Sequence, residues 1–76
     1  MRLAMSLSKS EKILVLINFF LQPEDHFRYQ YEADTIAQSV RKNSSLATLE
    51  KLVREKLEGL SDDTVNRLAA CIKESV

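Results

Sequence analysis

The sequence predicts an all-α protein that folds as a compact four-helix domain. Its 76 residues include one glycine and one proline, the two residue types that most strongly interrupt regular structure. Apolar residues recur at intervals of three and four, which places them on one face of a helix. Serines precede three of these segments, where a side-chain oxygen can cap a helix. Together these observations predict helices at approximately 9–21, 32–42, 46–58 and 62–75.

The first helix is predicted from its cap and from its apolar run. Ser8 and Glu11 have the spacing of a capping box, in which the hydroxyl and the carboxylate each bind a free backbone N–H. The helix should end near Gln22. From Ile13 to Leu21 only one residue is polar, so both sides of this helix need cover. Residues 1–7 are expected to form a flexible N-terminal arm of the same single domain, 1–76.

Residues 23–31 leave two interpretations open. Pro23 with the acidic residues after it resembles a helix start, whereas Phe27, Tyr29 and Tyr31 alternate as in a strand. We therefore expect a loop or a short turn here. Helical spacing of the apolar residues returns with Ala33 and predicts the second helix.

Serine caps and a glycine set the expected ends of the last two helices. Ser45 caps the third helix, and Gly59 supplies a residue after it that can adopt positive φ. Ser61 caps the fourth, so the two helices should form an angled or antiparallel hairpin. On the third helix, charged residues four apart should pair on the solvent side: Glu50 with Arg54, Lys51 with Glu55, and Arg54 with Glu58.

Composition argues against chemistry at a catalytic or metal site. His26 is the only histidine and Cys71 the only cysteine, so neither a disulfide within the chain nor a Cys/His zinc site can form. We interpret His26 as a solvated loop residue and Cys71 as a packed one. One glycine cannot build a phosphate-binding loop. The sequence therefore predicts a protein that is not an enzyme and has no catalytic residue, cofactor or metal.

Size and charge also constrain the partners and the compartment. A domain this small buries roughly 60% of its unfolded surface and retains only about 3–5 kcal/mol of net stability, which favours self-association or partner binding. Eleven basic and eleven acidic residues cancel, which is unusual for an autonomous nucleic-acid binder. The run from Ile13 to Leu21 is shorter than the ~20 residues that span a bilayer. We expect a cytoplasmic protein without membrane contact.

All five aromatic residues lie within thirteen consecutive positions. Such a cluster is often part of a core, yet tyrosine and phenylalanine are also enriched at interfaces. The candidate partner-binding residues are therefore Phe19, Phe20, Phe27, Tyr29 and Tyr31.

Residues 36–65 contain three features in sequence: a basic pair at 41–42, a serine-capped helix with a Thr-Leu-Glu core at 45–52, and a Leu-Ser-Asp helix start at 60–63. In these features the segment resembles the Hha/YmoA-type modulators of bacterial nucleoid proteins. The resemblance implies a small helical protein that binds the oligomerisation region of the nucleoid-structuring protein H-NS. Where that family has Asp-His-Arg, this chain has Ile72, Lys73 and Glu74, so the partner-binding residues are not carried over.

The leading hypothesis is a small regulatory or adaptor protein that acts by helix-mediated protein association, as a homodimer or on a larger bacterial nucleoid or transcription regulator. An alternative is a helix-turn-helix DNA-binding protein whose recognition helix is the third one. Its contacts would come from Arg41, Lys42, Lys51, Arg54 and Lys56. A further alternative is a phage- or mobile-element-encoded inhibitor of a host protein. The sequence does not identify the organism, the partner or its stoichiometry.

Overall fold

A computed structural model describes residues 7–76 and contains four α-helices in this part of the chain. They are α1 (Lys9–Leu21), α2 (Gln30–Ser39), α3 (Leu46–Lys56) and α4 (Asp62–Ser75). No strand occurs among these residues. The prediction of an all-α four-helix domain is therefore confirmed. The predicted N-terminal arm lies, except for Leu7, outside the described residues.

Serine side chains fix the starts of three helices. The hydroxyl groups of Ser8, Ser45 and Ser61 each accept a hydrogen bond from the backbone N–H three residues later, at 3.1–3.2 Å. The Glu11 carboxylate accepts a bond from the Ser8 N–H at 2.7 Å, which completes the predicted capping box. The starts of α1, α3 and α4 agree with the sequence predictions because each is specified by local capping.

The second helix begins and ends earlier than predicted. It starts at Gln30 rather than at residue 32, after turns at residues 26–29, and its N-cap residue Tyr29 makes no side-chain capping bond. The alternation of Phe27, Tyr29 and Tyr31 does not produce a strand. The helix stops at Ser39 rather than at residue 42, because Val40 adopts an extended conformation while its side chain stays buried.

The third helix ends at Lys56, two residues before the predicted end. Leu57 is extended (φ −124°, ψ 112°) but remains buried in the core. Gly59 has the expected positive φ of 81°, but it lies within the connection rather than directly after the helix. The early end leaves residues 57–61 to reverse the chain direction into α4.

The helices pair as two antiparallel hairpins. In the first, the Ser10 hydroxyl bonds the Asp34 carboxylate, and the Asn18 side chain near the end of α1 donates to the His26 carbonyl at 2.9 Å, just before α2. The Lys9 ammonium also donates to the Val40 carbonyl, just after the end of α2. The early part of α1 therefore lies beside the middle and the end of α2.

The second hairpin joins α3 to α4. The Arg54 guanidinium pairs with the Asp62 carboxylate at 2.8 Å, and the Asn66 amide donates to the Glu50 carboxylate at 2.6 Å. These contacts confirm an antiparallel hairpin. They also replace the predicted Glu50–Arg54 pair along α3, because the adjacent helix offers each side chain a partner.

The two hairpins enclose one hydrophobic core. α1 packs against α4, and α2 packs against α3, so each helix contacts two others. No buried residue in the described part of the chain is polar or charged. The buried residues come from all four helices and from their ends: Ile13, Leu14, Ile17, Ala33, Ile36, Val40, Leu49, Val53, Leu57, Val65, Leu68, Ala69 and Ile72.

Two lysines tether the connection between α2 and α3. The Lys9 ammonium donates to the Val40 carbonyl at 2.8 Å, and the Lys73 ammonium donates to the Ser44 carbonyl at 2.7 Å. The first and last helices thus each contact the link between the two middle helices.

Candidate protein-interaction surface

The structure divides the five aromatic residues into two groups. Phe20 and Tyr29 are partly buried and pack against the core. Phe19, Phe27 and Tyr31 are 71%, 70% and 77% exposed. The five candidate partner-binding residues therefore have two environments: three rings face solvent, and two pack against the core.

The outward side of α1 explains why Phe19 is exposed. Ile13 and Ile17 are fully buried one turn apart, whereas Val15 and Phe19, also one turn apart, are 56% and 71% exposed. Residues four apart lie on the same face of a helix, so this apolar helix has one buried face and one uncovered apolar face. The sequence predicted that both faces of α1 pack against other groups, but within this chain only the face with Ile13 and Ile17 does so.

We call Val15, Phe19, Phe27 and Tyr31 the aromatic surface. All four lie on the hairpin formed by α1 and α2. Among the residues that the structure describes, Leu7 is the only other large hydrophobic residue that is exposed. A single exposed hydrophobic side chain is ordinary, but several on one element indicate an interaction site.

Local hydrogen bonds hold the turn that carries Phe27. The Asp25 carboxylate accepts a bond from the Phe27 N–H at 2.9 Å, as in an Asx turn. The Asn18 side chain of α1 fixes the neighbouring His26 carbonyl at 2.9 Å. The exposed ring of Phe27 is therefore attached to a backbone that is bonded on both sides. Such preorganisation lowers the entropy lost on binding.

Val15 is the residue that sequence reasoning missed in this surface. Its position four residues before Phe19 places it on the same helix face as Phe19, away from Ile13 and Ile17. In a segment that is apolar on all sides, helical spacing alone does not indicate which face packs inward.

The five basic residues of the DNA-binding alternative differ in exposure and in their place in the fold. Arg41 and Lys42 lie in the exposed link before α3, and Lys51 and Arg54 lie on the outward side of α3. Lys56 is partly buried and lines a groove at the end of the helix. It is five residues from Lys51, which separates the two by about 140° around a helix. Direct DNA binding stays a prediction.

The residues considered for chemistry are dispersed. His26 is exposed in the turn before α2, and Cys71 is a free, partly buried thiol on α4. Within residues 7–76, no group of three or more His, Cys, Asp or Glu side chains is arranged to hold a metal ion.

None of the four helices has the length and apolar character needed to cross a bilayer.

Comparisons of this chain with protein-family models, with curated proteins and with solved structures found no match. The resemblance of residues 36–65 to the Hha/YmoA family therefore stays a prediction.

Proposed function

We propose that this protein is a small adaptor that acts by protein association, and that its aromatic surface pairs with the same surface of a second copy of the chain. One observation carries the proposal: Phe19, Phe27 and Tyr31 are each at least 70% exposed on the α1–α2 hairpin. Their exposure costs hydration free energy that association would recover.

The exposed rings offer a substantial part of an interface. A fully buried aromatic side chain covers about 150–250 Å², so three rings at this exposure offer roughly half of the ~800 Å² that each partner buries in a standard interface. Val15 and the polar residues around the rings supply the remainder. Tyrosine and phenylalanine are also the residue types that anchor such interfaces.

The pattern along α1 favours a second copy as the occupant. Lys12, Val15 and Phe19 follow the three–four spacing of a helix–helix seam. If two α1 helices pair in antiparallel fashion about Val15, Lys12 of each copy lies near Phe19 of the other. An ammonium group over an aromatic ring is an attractive arrangement, and a two-fold axis repeats it on both sides.

The overall charge and size also support self-association. The chain carries no net charge, so two copies do not repel each other at long range. A domain of 76 residues has limited stability alone, and burying the aromatic surface would add to it. In this proposal the dimer acts in the bacterial cytoplasm and presents its remaining faces to a larger regulator of transcription, the process that the Hha/YmoA resemblance implies.

Sedimentation velocity on the intact chain tests the proposal. We expect a concentration-dependent shift toward twice the 8.7 kDa mass of one chain. Phe19→Glu should abolish this shift, because it places a carboxylate in the seam. Ala47→Glu is the matched control, since Ala47 is also an exposed helical position but lies on α3; this variant should sediment like the wild type.

Circular dichroism will show that both variants keep their helices. A wild-type chain that stays monomeric over a hundredfold concentration range would refute self-association through this surface. Equal loss of the dimer in Phe19→Glu and Ala47→Glu would also contradict the assignment of the surface.

A further inference from the structure

The sequence ahead of α1 alternates apolar residues with small or polar ones. Met1, Leu3, Met5 and Leu7 are apolar, and the residues between them are an arginine, an alanine and a serine. Alternate side chains point to the same side of an extended segment. Residues 1–7, the N-terminal arm, would therefore present one apolar side in an extended conformation, and that side needs an apolar surface to bury it.

Leu7, the last of these apolar residues, has little cover within its own chain. It is 44% exposed, although it directly precedes Ser8, the N-cap of α1. A hydrophobic residue in this position commonly packs against another one at the fourth position of the helix. In α1 the fourth residue is Lys12, so the usual apolar contact is missing.

The seam between two α1 helices leaves part of the aromatic surface uncovered. Lys12, Val15 and Phe19 lie on α1 alone. Phe27 and Tyr31 lie beyond the end of α1, in the turn and at the start of α2, and are 70% and 77% exposed. Pairing through α1 therefore does not account for these two rings, and a further segment must cover them.

The proposed pairing directs the N-terminal arm of one copy to these rings of the other. α1 runs from Lys9 to Leu21, so Val15 is its middle residue. When two such helices pair antiparallel about Val15, the start of each lies beside the end of the other. The residues that precede α1 in one copy then continue toward the turn that follows α1 in its partner.

The length of the arm fits the partner better than its own copy. An extended chain advances about 3.3 Å per residue, so residues 1–6 reach roughly 20 Å beyond Leu7. Within one copy, Phe27 and Tyr31 lie at the opposite end of α1 from Leu7. The arm would have to reverse its direction and follow the whole helix, itself roughly 20 Å long, before it met either ring.

Charge favours the same contact. Arg2 is the one charged residue of the arm. The turn after α1 exposes two carboxylates, Glu24 and Asp25. Its basic residue, Arg28, lies over the Tyr29 ring at 5.6 Å from the centroid and lines the groove at the end of α3. The turn is therefore acidic on balance, and it attracts the arginine of the arm.

We propose that the N-terminal arms are exchanged in the dimer, so that the apolar side of each arm packs on Phe27 and Tyr31 of the other copy. The occupant of this half of the aromatic surface is then residues 1–7 of a second copy of the chain. This inference rests on the proposed self-association and adds to it, because each copy supplies cover that the other lacks.

Methionine labelling tests the exchange directly, because both methionines of the chain, Met1 and Met5, lie in the arm. A chain with ¹³C-labelled methionine methyl groups and deuterium elsewhere is mixed with an unlabelled chain. Any NOE from a labelled methyl group to an aromatic ring then arises between copies. We expect such NOEs from the methionines to the rings of Phe27 and Tyr31.

A second sample, in which the labelled chain keeps protonated rings and is not mixed, detects contacts within a copy as well. Methionine-to-ring NOEs in this sample but not in the mixture would overturn the exchange, each arm then covering its own copy. No NOE in either sample, at concentrations where the chain sediments as a dimer, would also overturn it and leave these rings to a different partner.

Paired variants measure what the arm contributes. Leu3→Ser combined with Met5→Ser should raise the dissociation constant of the dimer about tenfold or more, because each arm loses two apolar contacts. Ala4→Ser is the matched control, since Ala4 lies between them on the other side of an extended arm, and it should associate like the wild type. Equal dissociation constants in the double variant and the control, measured by sedimentation, would contradict the inference.

These results separate the exchange of arms from self-association itself. A wild-type dimer whose affinity is the same in the double variant overturns the exchange and leaves the α1 seam in place. A wild-type chain that stays monomeric overturns both.

Discussion

Phe19 and Phe20 meet edge to face, with ring centroids 5.4 Å apart and planes at 87°. Phe20 packs against the core, whereas Phe19 is 71% exposed. The Phe20 ring therefore supports the exposed Phe19 ring. Two adjacent residues of one helix thus have different roles, and variants at each position should separate stability from association.

Phe20→Ala should lower the free energy of unfolding by about 2–3 kcal/mol, because it removes a large side chain that packs on the core. Phe19→Ala should lower it by only about 0.5–1.5 kcal/mol through loss of the edge-to-face contact. Urea denaturation at protein concentrations low enough to keep the chains apart measures both values. Equal losses in the two variants would contradict the assigned orientation of these rings.

On α1, Ile17→Ala should lower the free energy of unfolding much more than Val15→Ala. Ile17 is fully buried, and truncation of such a residue costs about 2–5 kcal/mol. In a domain with about 3–5 kcal/mol of net stability, this is a large part of the total. Val15→Ala should change stability by less than about 0.5 kcal/mol, as at other surface positions. Urea denaturation followed by circular dichroism distinguishes them; equal free energies of unfolding in the two variants would contradict the assigned burial of Ile17.

Two positive φ angles give predictions of opposite sign. Gly59 has a φ of 81° and open space around an added Cβ atom, so Gly59→Ala should cost about 1 kcal/mol from backbone strain alone. Gln22, the C-cap of α1, has a φ of 48°, so Gln22→Gly should increase stability by roughly 0.5–1 kcal/mol. Thermal or urea unfolding checks both signs. Destabilisation by Gln22→Gly would argue against the left-handed end of α1.

Direct DNA binding should be weak. Arg54 is paired with Asp62 at 2.8 Å, and α3 also carries Glu50 and Glu55, which repel phosphates. Fluorescence anisotropy with duplex DNA at about 0.15 M salt should show no specific binding, and any residual affinity should have a shallow salt dependence. Tight binding with a steep loss of affinity in salt, reduced by Lys51→Ala, would instead favour the helix-turn-helix alternative.

The sequence predicted the fold well wherever a helix end is specified locally. Ser8, Ser45 and Ser61 mark three helix starts because a serine hydroxyl binds an N–H only three residues away. The start of α2 was misplaced because Tyr29 provides no side-chain cap. The preceding turn is held in part by the Asn18 side chain of α1, a contact between segments that periodicity does not reveal.

The exposure of the aromatic residues could not be predicted from the sequence, because it depends on contacts between segments. The aromatic cluster is evident in the sequence, but the sequence does not show which side of each segment packs inward. In the structure Phe20 and Tyr29 pack against the core, whereas Phe19, Phe27 and Tyr31 face solvent. Val15 was missed because the apolar run has no polar face to orient it. The groove at the end of α3 was not predicted at all, since three separate helices contribute to it.

Self-association through the aromatic surface is tested most directly by isotope-filtered NMR on a mixture of labelled and unlabelled chains. The proposed antiparallel pairing predicts intermolecular NOEs between the Phe19 ring of one copy and Lys12 or Val15 of the other. Intermolecular NOEs that arise only from α3 and α4, or none at concentrations where the chain sediments as a dimer, would contradict it.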